Sequence, residues 1–578
     1  MKVLLVTLNS KFIHSSLALA YLESYCESDS WNIEVVEYTI NENISDILAD
    51  IHMLSPDLLC FSCYIWNIEY TLEICNDYKK INPHIPIILG GPEVSYDAVE
   101  ILNKHSVDYI IRGEGEETLK HLLETIYTDS SYSRVKGITY KENGEVYENP
   151  DRELIDDLDI IPFPYKDRLE RYVNKTIYYE SSRGCPFNCA YCLSSTIKGV
   201  RFFPLPRVKK DLGYLMANKV REVKFVDRTF NCNEKRSMEI MQYIIENNIS
   251  TKFHFEIAVE LISAEFLAFL KDMPKNMFDF EIGVQSTYPQ ALQAVNRAFD
   301  WDVLKNLTNR LIQFDNIHIH LDLIAGLPHE TYEDFGKSFN DVYHFKADML
   351  QLGFLKLLKG SPIRDDVAKY KYIFQTKPPY QVLANHVVTY DDMILLDHIE
   401  KLVDIYYNSH IIDDTLDFII NEIFSENAFL FFAAFAKYWR EHGLFFIGHK
   451  RGKLYTIVRN YISSAKPDYS SKVNETLKYD YFVNNKSYNT PDGITSFPPV
   501  DTTLLLNNIL RDKAFVAKNI EHMQNKTVRN IKKYVHLEYF DLNPLALYIE
   551  PGYVLFSYGP DKKADYVVDI SENVQKYI

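Results

Sequence analysis

The first 125 residues alternate between two kinds of apolar pattern. KVLLVTL (2–8) is a nearly continuous apolar run, as expected of a strand buried on both faces, and HSSLALAYLESYC after it carries helical spacing. The alternation repeats through IEVVEYT (33–39), DLLCFSCY (57–64), IPIILGG (85–91) and VDYIIRGEGE (107–116), with helix patterns between them. Five strands separated by helices predict a doubly wound parallel sheet. Such sheets take ligands beyond the carboxyl ends of their strands, here Asn9-Ser10, Ser62-Cys63, Gly90-Gly91-Pro92 and Arg112-Gly113-Glu114.

Residues 131–170 read as a connector, holding a hairpin with Asn143-Gly144 at its turn and then the proline-bearing IPFPY. Strand patterns resume at VKFVD (223–227), TKFHFEIAVE (251–260), FDFEIGVQS (278–286), HIHLDLIAGLP (318–328) and MLQLGFLKLL (349–358). Helical stretches separate them, predicting a partial or complete (β/α) barrel with its working groups at strand carboxyl ends. From residue 361 the chain is aromatic and mainly helical, closing on the strand-like YVLFSYG and YVVDI. The expected division is 1–130, a connector 131–170, 171–360, and a carboxyl-terminal extension 361–578.

Composition narrows the class. With 34 Phe and 42 Tyr in 578 residues, disorder is excluded as the main theme. No apolar run approaches the roughly 18 residues of a bilayer span, so no membrane partner is expected. The formal charge of −18 disfavours a non-specific grip on nucleic acid. Eight cysteines do not make a secreted disulfide scaffold, which points to a reducing cytoplasm.

Three of those cysteines fall within eight residues: Cys185-Pro186-Phe187-Asn188-Cys189-Ala190-Tyr191-Cys192. Three thiolates so spaced converge only if the chain loops around a centre, and Gly184 and Pro186 suit a loop. Structural zinc takes four protein ligands and a 4Fe-4S cluster likewise wants four, so three cysteines leave one position open. The plainer alternatives are three core cysteines or an incomplete zinc site.

CxxxCxxC with Tyr191 before the third cysteine resembles the motif of the radical S-adenosylmethionine (SAM) enzymes. SSRGCPFNCAYC, VKFVDRTFN, EIGVQS and DLIAGLP follow in the order that superfamily presents, over about residues 175–360. The resemblance implies that Cys185, Cys189 and Cys192 hold a 4Fe-4S cluster whose fourth iron binds SAM, which is cleaved to a 5′-deoxyadenosyl radical. It also implies SAM contacts: Tyr191 near the adenine, Asp227, Glu256 or Glu260, Gln285 and Ser286 near the methionine or ribose, and Ile324 and Gly326 against the adenine. The glycine-rich segment usual at the second strand end is absent here, where Asp227-Arg228 stands.

The amino-terminal sheet has no G-x-G-x-x-G after its first strand and lacks the acidic cluster of a receiver domain. Joined to a radical SAM domain, it resembles the cobalamin-binding domain of cobalamin-dependent radical SAM enzymes. Gly90, Gly91, Pro92 and Glu93, with Gly113 and Glu114, match its loops; glycine lets backbone approach a bulky ligand. Asn9, Ser10, Ser15 and Ser16 are expected at corrin amides or the nucleotide tail, His14 at the corrin periphery, and Ser62 and Trp66 beyond the third strand. Asp50-Ile51-His52 begins like D-x-H-x-x-G but lacks the glycine and lies on a helix, so the expectation is cobalamin without a protein histidine on cobalt.

The implied activity is that of an anaerobic cytoplasmic methyltransferase acting on an unactivated carbon of an unidentified substrate, with flavodoxin or ferredoxin as electron donor. A cyclase or rearrangement enzyme using both cofactors is the alternative within enzymes, and a cobalamin- or redox-sensing regulator the alternative outside them. In the tail, Arg511–Lys533 holds seven Lys and Arg; it reads as a solvated helix face, with an anionic substrate or RNA contact as the other reading.

Overall fold

In the computed structural model, which describes residues 1–297, 299–487, 490–494, 497–546, 548–560 and 563–578, the apolar runs of the amino-terminal region become the strands of one sheet. These are β1 (Lys2–Asn9), β2 (Asn32–Thr39), β3 (Leu58–Ser62), β4 (Ile87–Gly90) and β5 (Tyr109–Ile111), parallel, in the order β2-β1-β3-β4-β5. Period-2 alternation sends the side chains to two separate cores. Leu4, Val6, Leu59 and Phe61 pack on one face, and Val3, Leu5, Leu58 and Cys60 on the other. The order reverses between β1 and β3, the switch point where such sheets bind ligands.

The hairpin β6 (Ile138–Glu142) and β7 (Glu145–Glu148) extends this sheet antiparallel from β5, although its spacing assigns it to a connector. Ile138 and Tyr140 explain the docking, since they join the same core as Tyr109 and Ile111. Asn143 and Gly144, at φ 51° and 85°, make the turn.

The second series is β8 (Ile177–Tyr179), β9 (Ser182–Cys185), β10 (Gly199–Phe202), β11 (Glu222–Phe225), β12 (Lys252–Glu256), β13 (Phe278–Gln285), β14 (His318–Ala325) and β15 (Met349–Phe354). Six of these form one sheet, β15-β14-β13-β12-β11-β8, whose end strands do not pair: a partial barrel. β9 and β10 stand apart as an antiparallel ribbon. One face is apolar, through Phe253, Phe255, Phe278, Phe280, Ile319 and Leu321. The other is polar: Lys224 and His254 both meet Glu281, at 3.2 and 2.9 Å, and His320 lies 3.0 Å from Asp322. A short ribbon, β16 (Ile373–Phe374) and β17 (Val382–Ala384), follows.

The chain divides into two compact units, residues 1–338, 345–348 and 352–393, and residues 339–344, 349–351 and 394–578. The second is mainly helical, as expected, but also holds an antiparallel sheet of β18 (Val535–Phe540), β19 (Gly552–Tyr558) and β20 (Ala564–Asp569). Helix Ala428–Glu441 buries Phe431, Phe432, Phe435 and Trp439, the Phe432 ring 5.9 Å from Phe339 and the Phe435 ring 5.3 Å from Tyr406, so its aromatic run is core. Arg511, Lys513, Lys518, Lys526, Arg529 and Lys533 are exposed around a core of Phe515, Ile520, Met523 and Ile531, which is a solvated face.

Candidate cofactor site

The cysteine loop begins at a backbone position only glycine can fill. Gly184 has φ 97°, and a Cβ there would lie 2.2 Å from the Gly199 carbonyl oxygen across the β9–β10 ribbon. Cys185 ends β9; Cys189 and Cys192 follow in a loop tied down by Ala190 N–H donating to Val295 O at 2.9 Å. All three are free thiols, Cys189 buried and the others half-buried. Among the described residues no three His, Cys, Asp or Glu side chains are gathered around one point. A cubane, however, offers each thiolate a different iron, so its ligands need not converge as those of a single ion do. Burial raises the Cys185 thiol pKa, and the charges of Cys192 and Cys189 add to it. The donor set and the loop fit a cluster.

Three groups that spacing does not announce surround this loop. Arg297 brings Nη1 to 3.9 Å from Cys189 Sγ and donates to Gly283 O. A cation at that distance favours an anionic centre on the sulfur. Thr229 Oγ1 lies 3.4 Å from Cys185 Sγ. Arg183, two residues before Cys185, meets Glu116 at 2.5 Å, Glu180 at 3.0 Å and Glu114 at 3.3 Å, while Arg201, its partner across the ribbon, meets Glu114 at 2.7 Å. Two arginines thus staple the cysteine ribbon to the loop after β5. Apart from Arg183–Glu180, sequence offers no signal for these side-chain pairs, because the partners lie 44 to 108 positions apart.

A cavity of about 1090 Å³ opens between the amino-terminal strand ends and this ribbon. That exceeds the usual small-ligand pocket and suits a corrin-sized one. Asn9, Ser10, His14 and Ser15 reach its wall from the β1 turn. Asn9 Nδ2 is committed to Glu37 at 2.9 Å, Ser15 Oγ donates to Thr176 O, and Ser16 caps helix Leu17–Tyr25. His14 Nδ1 lies 2.7 Å from Tyr178 OH, and burial lowers its pKa. Beyond β3, Ser62 contributes a buried hydroxyl with no partner, and Trp66 stacks on Tyr64 with ring centroids 4.6 Å apart. Gly90, Gly91 and Pro92 line the cavity from β4, and Gly113 and Glu114 from β5. A Cβ on Gly113, at φ 74°, would meet nothing within 4 Å, so the space a ligand needs is open there. The orphan Ser62 hydroxyl and this open cradle fit a large, amide-rich ligand.

Other expected contacts are already engaged elsewhere. Gly91 is required by the fold, since its Cβ would lie 2.5 Å from Cys63 O. Glu114 faces the cavity, but its carboxylate accepts from Arg183, Arg201 and the Ile155 N–H. Glu93 is turned away and buried, accepting from Tyr380 OH at 2.9 Å, and burial raises its pKa. His52 sits on an exposed helix face beside Asn82.

On the barrel side, Asp227 is fully occupied: it accepts from Ser181 N–H at 2.7 Å and from the Ser181 and Ser182 hydroxyls at 2.6 and 2.7 Å. It thus orients the segment leading to Cys185. Ser286 is buried and donates to Glu330 at 2.6 Å, facing the interior rather than a ligand. Gln285, at φ 72°, folds its amide over Gly283 and leaves Oε1 without a partner. Glu256 is half-buried 3.6 Å from Arg228, its pKa raised to about 7 chiefly by burial. Glu260 lies 3.9 Å from Arg297. Tyr191 and Ile324 are half-buried, and Gly326 takes φ 91° under Val382 and Met393.

Three family models match the chain in succession: a B12 binding domain over residues 3–123, the radical SAM superfamily over 179–342, and a protein of unknown function (DUF4080) over 368–556. The chain is 27% identical over 328 residues to the uncharacterized methyltransferase PH0819 of Pyrococcus horikoshii, covering 55% of this chain and 71% of that protein. It is 25% identical to the cobalamin-dependent radical SAM methyltransferase TokK of Streptomyces tokunonensis, covering 56% and 50%. The chain therefore spans only half the length of TokK. The structure of OxsB, a cobalamin-dependent SAM radical enzyme with aqua-cobalamin bound, superposes with a TM-score of 0.60 over 83% of this chain and 80% of that one, at 16% identity. TsrM of Kitasatospora setae gives 0.55 over 64% and 76%. With a B12 binding domain followed by a radical SAM domain and DUF4080, the chain belongs to the cobalamin-binding radical SAM proteins, and its cofactors are cobalamin, S-adenosylmethionine and a 4Fe-4S cluster.

Proposed function

We propose that the chain is a cobalamin-dependent radical SAM C-methyltransferase acting on an unactivated carbon. The observation that carries this reading is the cavity into which both the β1, β3, β4 and β5 ends and the cysteine ribbon open. PH0819, TokK and the hopanoid C-3 methylase of Methylococcus capsulatus, all named as methyl-transferring proteins, support it. When bound, the cluster with SAM supplies the one-electron chemistry that activates a carbon, and cobalamin supplies a transferable methyl group.

The chain's own residues hold and shield that chemistry. Cys185, Cys189 and Cys192 are the cluster ligands, with Arg297 placing positive charge beside Cys189. Asp227 and Arg183 act as positioning residues, one on the segment before Cys185 and the other between that segment and the cobalamin-side loop. Ser62, Trp66, Gly90 and Gly113 are the favoured cobalamin contacts; Tyr191, Glu256, Gln285 and Ile324 are the favoured SAM contacts. The stacked Tyr64–Trp66 pair keeps water from one wall of the cavity. Electrons come from a flavodoxin or ferredoxin in the cytoplasm.

The test is a comparison of small-molecule and macromolecular extracts from a deletion strain and its parent, followed by anaerobic turnover of candidates that gain one methylene. With the right substrate, S-adenosylhomocysteine and 5′-deoxyadenosine form together. 5′-Deoxyadenosine with substrate conversion but no S-adenosylhomocysteine would point to cyclisation or rearrangement, and neither product to a sensor.

A further inference from the structure

The carboxyl-terminal unit carries a short loop whose two neighbouring phenylalanines have opposite fates. Helix Ala428–Glu441 ends at Gly443, which takes φ 66°, and a single helical turn, Leu444–Phe446, leads toward helix Arg451–Ala465. Phe445 anchors the turn: its ring stacks on His398 at 4.3 Å and lies 5.2 Å from Trp439. His449 closes the loop, 2.8 Å from Leu444 O and 5.1 Å from the Trp439 ring. Phe446 and Ile447 consequently project outward, 86% and 60% exposed. Two adjacent large apolar side chains held in water by an anchored loop form a candidate contact patch.

Charge says what covers them. Arg440, Lys450, Arg451 and Lys453 flank the tip along the chain against one exposed acid, Glu441; the four are exposed and make no ion pair among the described residues. The chain as a whole carries −18, yet residues 437–578 hold 20 Lys and Arg against 15 Asp and Glu. Apolar tips within a cationic collar match the interface of an anionic lipid surface, where side chains enter the acyl boundary and cations meet headgroups. Nucleic acid fits less well, because Ile447 offers no ring to stack on a base. Among the described residues no single helix is long and apolar enough to cross a bilayer, and the bent pair Asp413–Ile423 with Ala428–Glu441 that reaches the length buries Phe431, Phe432, Phe435 and Trp439 in the core, so the contact proposed is with a surface.

We propose that the Leu444–Lys453 loop is a docking element for an anionic lipid surface. It is independent of the methyltransferase reading, and its test needs neither turnover nor substrate.

The full chain is floated with vesicles of phosphatidylcholine alone or with about one-third phosphatidylglycerol. Binding is expected to the anionic vesicles only, and to weaken as salt rises. Phe446→Ser with Ile447→Ser should lower the partition about tenfold or more. Lys450→Gln with Arg451→Gln should lower it about thirtyfold. Both pairs project into solvent, so an unchanged circular dichroism melt certifies the fold. Absence of binding by the parent chain, equal binding to neutral vesicles, or indifference to the Phe446 and Ile447 changes overturns the proposal. So does retention on RNA through the same lysines, or a dimer that Phe446→Ser converts to monomer.

Discussion

Glu330 shows how a buried carboxyl at the barrel is held by two serines and left half-satisfied. Its Oε1 accepts from Ser286 at 2.6 Å and Ser338 at 2.7 Å, while Oε2 is buried without a partner. Burial raises its pKa to about 7 against the lowering effect of the two hydroxyls. The folded chain therefore holds a proton that the unfolded chain has already lost between roughly pH 4.5 and 7. That contribution to stability is complete at low pH and disappears as pH rises through the folded value. Glu330→Gln, a mimic of the protonated acid, is expected to match the parent below about pH 5 and to exceed it by about 2–3 kcal/mol near pH 8. Melting curves across that range check it; a parallel offset at every pH would contradict it. The same residue explains why Ser286 is not free for a ligand, which its place in FDFEIGVQS does not reveal.

At the scale of the element, the β9–β10 ribbon sets where the cysteines stand. Gly184→Ala puts a methyl 2.2 Å from the Gly199 carbonyl, so the ribbon must open and the Cys185 thiol must move. Iron content after anaerobic reconstitution should fall severalfold, while cobalamin binding is retained. Gly113→Ala is the contrasting case: its Cβ enters open space, and the positive φ costs about 1 kcal/mol. Its iron loading should stay at the parent's value, with cobalamin affinity reduced about tenfold if the methyl occupies the cradle; equilibrium dialysis reads it. Both glycines are visible in sequence, but their different reasons are not. Gly184 is demanded by a strand partner and Gly113 by the space beside it.

At the scale of the whole molecule, residues 339–344 belong to the second compact unit. Phe339 and Tyr343 pack within the second, their rings 5.6 Å from Phe429 and 5.1 Å from Tyr407 respectively. Truncation after Asp365 would bare both rings, so the shortened chain is expected to aggregate; a soluble, cofactor-loading product in size-exclusion chromatography would refute this. Sequence by itself determined the strand series, the three-cysteine loop, the turn glycines and the order of the domains, because each is written in local periodicity or in close spacing along the chain. Only the tertiary structure decided which polar strand-end residues face the cavity. Glu93, Ser286 and Asp227 look from sequence like Ser62, yet each is taken up by a partner brought from elsewhere: Tyr380, Glu330 and the Ser181–Ser182 pair. The arginines that staple the site, and the outward turn of Phe446 beside buried-side Phe445, were equally unreadable. A buried polar or charged group must be paired wherever its partner lies, and folding brings together partners from anywhere in the chain.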